Sequence, residues 1–286
     1  MGSRIKRMFA NAKGAAFMPY VCCGDPDASF TISLVKALCG NGADAIEFGI
    51  PFSDPIADGK TIQEASNRAL AGGMTPSKAL GAIARIRRGG VEAPIIAMTY
   101  YNIIFSQGQD AFLKKLKQAG ADGLIVPDVP LEESAALSKS CKKACIDLVF
   151  LVTPNTADGR IAKIARRGKG FLYAVSVLGT TGARKNIDPA ALTLVKRASR
   201  HGLPVVAGFG ISTPAHARRF AAAGAKGVIV GSEIANIYSR QMTKNRINRK
   251  TALEKIAKYA REMKSACSHT VRQTPGRSPG HANRDA

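Results

Sequence analysis

The sequence predicts a single-domain α/β protein, a (β/α)8 TIM barrel, and three observations lead there. Short apolar runs alternate with longer amphipathic ones over almost the whole chain, and no change of composition divides them. The apolar runs lack period-two alternation, as parallel strands covered on both faces do. A doubly wound open sheet would alternate in the same way, but eight evenly spaced βα units in 286 residues favour closure.

In chain order, the apolar runs 16–21 and 45–48 are joined by an amphipathic stretch at 30–39, which ends on the turn signal Gly40-Asn41-Gly42. A helix at 61–70 follows the acidic loop after the second run, and one at 76–86 leads to the third run, 95–98. The stretch 111–118 stops at Ala119-Gly120-Ala121-Asp122, before the fourth run at 123–126. Helices at 132–143, 158–167 and 189–199 alternate with the runs 148–152, 171–175 and 204–207. The helix 214–223 ends at Ala223-Gly224-Ala225-Lys226, before the eighth run at 227–230. Gly-Ala-Asp or Gly-Ala-Lys turns thus recur before strands two, four and eight as an internal structural rhyme. An amphipathic segment at 251–267 closes the barrel, which gives a catalytic domain over 1–267. Residues 268–286, with Thr-Pro-Gly-Arg-Ser-Pro-Gly-His and no apolar period, read as a disordered basic tail.

Hydrophobic residues make up 45% of the chain, enough for a sizeable core, and with no Trp and 6% aromatics that core is aliphatic. No apolar run approaches the ~18 residues of a membrane helix, and the basic N-terminus lacks the apolar centre of a secretory signal. Six cysteines (Cys22, Cys23, Cys39, Cys141, Cys145, Cys267) without zinc-ribbon spacing read as reduced structural thiols in a cytoplasm. The net charge is +22, and residues 240–286 hold twelve Lys/Arg against three acids. Such a charge attracts anions in general. Yet no interleaved aromatics, GxxG clamp or zinc knuckle accompanies it, which argues against a nucleic-acid partner.

The chemistry centres on the second strand and its loop. Glu47 stands inside an apolar run, and the loop after it carries Asp54 and Asp58 between prolines. Burying an unpaired carboxylate costs several kcal/mol, in rough terms, or raises its pKa. Two carboxylates in different environments can divide acid and base duties, because the more desolvated one keeps its proton longer. The competing readings are a structural Glu47 paired with Arg or Lys, and an Asp58 that caps the helix behind it. Asp54 is as compatible with loop ordering as with catalysis. Three glycine-bearing loops, at 178–182, 208–212 and 230–232, follow late strands. The last two stand where barrels hold a phosphate on backbone N–H groups, with Ser232 as an added donor. No His or Lys falls at a strand end and no metal-ligand spacing occurs, so the reading is metal-free acid/base chemistry on a phosphorylated small molecule. His216 is expected on a solvated helix face, and Lys60 at the outward start of a helix.

At these residues the chain resembles the tryptophan synthase α subunit family. The segment 47–63, with its Pro-Phe-Ser-Asp-Pro-x-Ala-Asp-Gly core, carries the match. Met18-Pro19-Tyr20, Gly24-Asp25-Pro26, Thr99-Tyr100-Tyr101-Asn102, the segment 127–134, Thr153-Pro154-Asn155-Thr156, Gly179-Thr180-Thr181-Gly182-Ala183 and Gly208-Phe209-Gly210-Ile211-Ser212 support it, over roughly 10–265 and in family order. The resemblance implies retro-aldol cleavage of indole-3-glycerol phosphate to indole and glyceraldehyde 3-phosphate, for tryptophan biosynthesis. It implies catalytic Glu47 and Asp58, substrate contacts at Tyr20, Ile62, Tyr100, Tyr173 and the gating Thr181, and phosphate contacts at Gly182, Gly210, Gly231 and Ser232. It also implies docking to a β subunit in an α2β2 complex through Pro51, Asp54, Asn102 and Pro130. Pyridoxal phosphate would then belong to the partner, and this chain would hold no cofactor and no metal. Lys60, Cys22-Cys23 and Tyr20 depart from the usual family residues, and none of them is a catalytic carboxylate. A stand-alone lyase with the same chemistry and a basic nucleic-acid-binding barrel remain as alternatives.

Overall fold

All eight apolar runs are strands, and they pair in parallel in sequence order until the eighth returns to the first. The computed structural model describes residues 3–175, 187–208, 210–243 and 246–268. Among these, the barrel strands are β1 Ala16–Cys22, β2 Ile46–Gly49, β3 Ile95–Met98, β4 Gly123–Ile125, β5 Asp147–Val152, β6 Leu172–Ala174, β7 Val205–Ala207 and β8 Gly227–Val230. Almost every strand residue is buried, which is why the runs show no alternation: one face fills the barrel and the other meets helices.

The surrounding helices are α2 Ala28–Gly40, α3 Lys60–Ala71, α4 Pro76–Arg88, α6 Gln109–Ala119, α7 Ala135–Ala144, α8 Asp158–Arg167, α9 Pro189–Ala198, α10 Pro214–Ala222 and α12 Arg249–Ser268. Three begin with proline one residue after a side-chain cap (Thr75, Asp188 and Thr213), where the missing N–H costs nothing. α12 packs against α2 and α10 and closes the helical ring. It runs through Ser268, so the helix takes one residue assigned to the tail. Residues 269–286 lie outside the described residues.

Four elements are additions to the sequence reading. α1, Arg4–Asn11, is capped by Ser3, whose Oγ accepts from Lys6 N at 3.2 Å, and its fully buried Ile5 packs under the barrel floor beside Gly123 and Gly170. α5, Tyr101–Ser106, and α11, Ser232–Ser239, are short helices after β3 and β8. A two-stranded antiparallel hairpin, β9 Met242–Thr243 and β10 Arg246–Ile247, leads into α12.

The repeated Gly-Ala-Asp/Lys turns are explained here. Gly42, Gly120 and Gly224 have φ of +102°, +100° and +105°, the left-handed conformation that ends a helix and that glycine adopts without strain. The aspartates that follow tie neighbouring strands together: Asp44 Oδ2 accepts from Phe17 N at 2.7 Å, and Asp122 Oδ2 from Ile95 N at 3.0 Å. Their charges meet Lys264 at 2.6 Å and Arg87 at 2.6 Å. No helix of the described residues is long and apolar enough to cross a membrane. His216 departs from expectation: it is buried in α10, with its Nδ1 lacking a partner among the described residues.

Candidate active site

Glu47 is the second residue of β2, not its end, and is 1% exposed. Its direction follows from its partner. Tyr173 on β6, diametrically across the barrel, donates its hydroxyl to Glu47 Oε2 at 3.2 Å, so the carboxyl points into the barrel interior. Among the described residues no Arg or Lys pairs with it, which speaks against the structural ion-pair reading. Burial pushes its pKa up to about 8; the Tyr173 hydrogen bond opposes that rise and the Asp58 charge adds to it.

Asp58 lies in the loop between β2 and α3. It does not cap α3: Gly59 holds the cap position without a side-chain bond, and the Asp58 backbone carbonyl accepts from Gln63 instead. The carboxylate Oδ2 accepts from the Tyr100 hydroxyl at 3.2 Å, and the same hydroxyl accepts from Ala57 N at 3.1 Å. Tyr100 therefore grips the loop at two points. Burial raises the Asp58 pKa to about 6, against the lowering effect of the Tyr100 bond. Phe52 stacks on the Tyr100 ring with centroids 5.1 Å apart, a contact that sequence reasoning did not single out.

Tyr20 on β1 is in register with Glu47. Two strand-end glycines make room for the rings: a Cβ at Gly49 would collide with the Tyr20 hydroxyl, and one at Gly208 with the Tyr173 ring. These close approaches were legible only as isolated glycines in the sequence. Ile62, on the first turn of α3, is buried. Burial moves the Tyr20, Tyr100 and Tyr173 phenols upward, so all three stay neutral.

Gly210, at φ +54°, follows β7, and Gly231 caps α11 with Ser232 as its first residue. Among the described residues no side chain caps α11, whose N-terminus, the positive end of the helix, stands directly after the C-terminal end of β8. Gly231 also backs onto the Tyr20 ring. Gly182 and Thr181 lie outside the described residues. On the rim, Asp54, Asn102 and Pro130 are exposed, whereas Pro51 is buried. Exposed Ile56, within the acidic loop expected to dock, and exposed Phe105, which the sequence did not single out, share that rim. Among the described residues no group of three His, Cys, Asp or Glu could hold a metal ion.

Behind the mouth, Asp25 is fully buried and accepts from Arg68 of α3 at 2.8 and 2.7 Å and from Tyr238 of α11 at 2.6 Å. One carboxylate therefore ties the helix after the Asp58 loop to the helix at the phosphate-type end.

A sequence model of the tryptophan synthase alpha chain matches residues 7–268. The chain is 45% identical over 267 residues to the tryptophan synthase alpha chain of Methanoregula boonei, covering 93% of this chain and 99% of that one. To the alpha chain of Methanosarcina acetivorans it is 47% identical over 253 residues, 88% and 89% of the two chains. Among solved structures, the tryptophan synthase A-subunit of Pyrococcus furiosus superposes with a TM-score of 0.80 at 39% identity, over 88% of this chain and 98% of that one. A chain of the a2b2 complex from the same organism gives 0.81 at 40%, over 88% and 98%. On these grounds the chain belongs to the tryptophan synthase alpha chain family, whose members are enzyme subunits acting as lyases.

Proposed function

We propose that this chain is the α subunit of tryptophan synthase and cleaves indole-3-glycerol phosphate to indole and glyceraldehyde 3-phosphate. The observation that carries the reading is the pair of carboxylates in unlike surroundings: Glu47, with a pKa near 8, and Asp58, near 6. At neutral pH the first holds its proton and the second is ionised. Glu47 gives its proton to C3 of the indole ring. As the bond from C3 to the side chain breaks, its electron pair returns to the ring and the adjacent hydroxyl oxygen becomes the aldehyde carbonyl. The hydroxyl proton passes to Glu47, which ends protonated as it began. Asp58 accepts the indole N–H and offsets the positive charge that develops there.

Tyr173 and Tyr100 hold the two carboxylates, and Tyr20 and Ile62 complete the walls of the indole pocket. Gly210 after β7, and Gly231 and Ser232 at the start of α11, receive the phosphate together with Gly182, and Thr181 gates the site. The partner is a β subunit in an α2β2 complex, as in the Pyrococcus furiosus a2b2 assembly. It docks on the rim of Asp54, Asn102 and Pro130. The exposure of Ile56 (64%) and Phe105 (69%) supports this, since large apolar side chains in water on one rim suit a protein interface. The pyridoxal phosphate of the second reaction resides in that partner.

The test is indole release by the purified chain, alone and with a β subunit, beside Glu47→Gln and Asp58→Asn. The expected result is partner-enhanced release that each substitution lowers by at least about 100-fold. Fast release that a β subunit leaves unchanged would make the chain a stand-alone lyase. Absence of release from folded protein under both conditions would end the assignment.

A further inference from the structure

A cavity of about 660 Å³ opens at the other end of the barrel, under the N-terminal ends of β4 and β5, and it takes no part in the proposed chemistry. Its volume lies within the range of small-molecule sites, ~300–1,000 Å³. Seven lysines and arginines line it against two aspartates. Both aspartates are already engaged. Asp122 accepts from Arg87 at 2.6 Å and Arg4 at 3.1 Å, and Asp147 accepts from Ser3 Oγ at 2.7 Å. Lys117 is tied to the Cys145 carbonyl at 2.9 Å and Arg167 to the Leu131 carbonyl at 3.0 Å. Lys139 and Lys142 of α7, and Lys169 before β6, are exposed and form no ion pair among the described residues.

Like charges from separate elements thus converge on one concavity, whose walls focus their field and which an anion would relieve. Ser138 Oγ, in the same wall, is buried without a hydrogen-bond partner among the described residues and is a neutral donor in reserve. Among the described residues the wall has no aromatic side chain, so it offers no platform for stacked bases. We propose that this basal cleft binds a compact anion carrying two or more phosphate groups, such as a polyphosphate or a multiply phosphorylated small molecule, on Lys139, Lys142 and Lys169 with Ser138. Phosphate is the favoured anion because several lysines and arginines can share its many acceptor oxygens.

The probe is inorganic tripolyphosphate, titrated calorimetrically into the full chain at low salt. Saturable one-site binding is expected. Lys139→Gln, Lys142→Gln and Lys169→Gln combined should weaken it by about tenfold or more, and Ser138→Ala by a few-fold. The triple variant should keep its thermal midpoint and its indole release, since none of the three lysines belongs to the catalytic face. Absence of saturable binding, or equal affinity in the triple variant, would overturn the proposal. So would displacement of the probe by glycerol 3-phosphate, which would place it in the catalytic phosphate grip. Tighter, length-dependent binding of single-stranded oligonucleotides to the same lysines would overturn the small-ligand assignment in favour of a nucleic-acid surface.

Discussion

Glu47 is more completely desolvated than Asp58, and their protons come off in a set order as a result. If the protonated Glu47 and the ionised Asp58 are the working forms, kcat/KM should be bell-shaped in pH, rising near 6 and falling near 8. The tyrosines tune the two limbs. Tyr173→Phe removes a bond that lowers the Glu47 pKa, so the alkaline limb should move to higher pH; Tyr100→Phe should move the acid limb up for the same reason. Initial rates from pH 5 to 9.5 check both shifts. The same burial affects stability. A carboxyl whose pKa rises from 4.5 to about 8 on folding binds more protons folded than unfolded across that interval. Its ionisation therefore costs stability progressively as pH rises through the interval, and fully above 8. Glu47→Gln should be more stable than the parent at pH 9, by roughly 3–5 kcal/mol, and close to it at pH 4.5, in urea unfolding at the two pH values.

Single elements owe their placement to a few buried polar contacts. Asp25 sits between α3 and α11 with both partners bound, so it fixes the spacing between the Asp58 loop and the Gly231-Ser232 turn. Asp25→Ala leaves the Arg68 guanidinium and the buried Tyr238 hydroxyl without their acceptor and should cost about 3–5 kcal/mol in urea unfolding. Combined with Arg68→Ala, the loss should fall well short of the sum of the single losses, because the second substitution removes the charge the first had stranded. None of this network was readable in the chain, since its members stand at positions 25, 68 and 238 and only the closed barrel brings them together. The elements missed in the sequence share one trait. α1 buries only Ile5, and α5 and α11 are one to two turns long, too short for an apolar period to emerge. The strands and long helices were legible because burial on both faces leaves an unbroken apolar run, and burial on one stripe leaves a repeated apolar spacing over several turns.

At the scale of the molecule, two opposite ends of one barrel carry different surfaces. The mouth exposes apolar Ile56 and Phe105 beside the acidic loop, and the floor gathers cations around α1 and α7. Phe105→Asp should abolish most of the enhancement of indole release by a β subunit, leave the rate of the isolated chain unchanged, and alter stability by no more than about 0.5 kcal/mol, measured as rate against β-subunit concentration and as thermal midpoint. The amino-acid sequence by itself determined the barrel, the order of its strands and the acidic loop as the place to look, because apolar run length, turn glycines and the position of Glu47 and Asp58 are local properties of the chain. Only the tertiary structure decided that Glu47 faces Tyr173 across the interior, that Asp58 is gripped by Tyr100 and not used as a cap, and that His216 is buried. It also decided that the charges of α1, α6, α7 and α8 share one cleft. Those are relations between residues far apart in the chain, and their energies depend on desolvation and distance, which exist only once the barrel has closed.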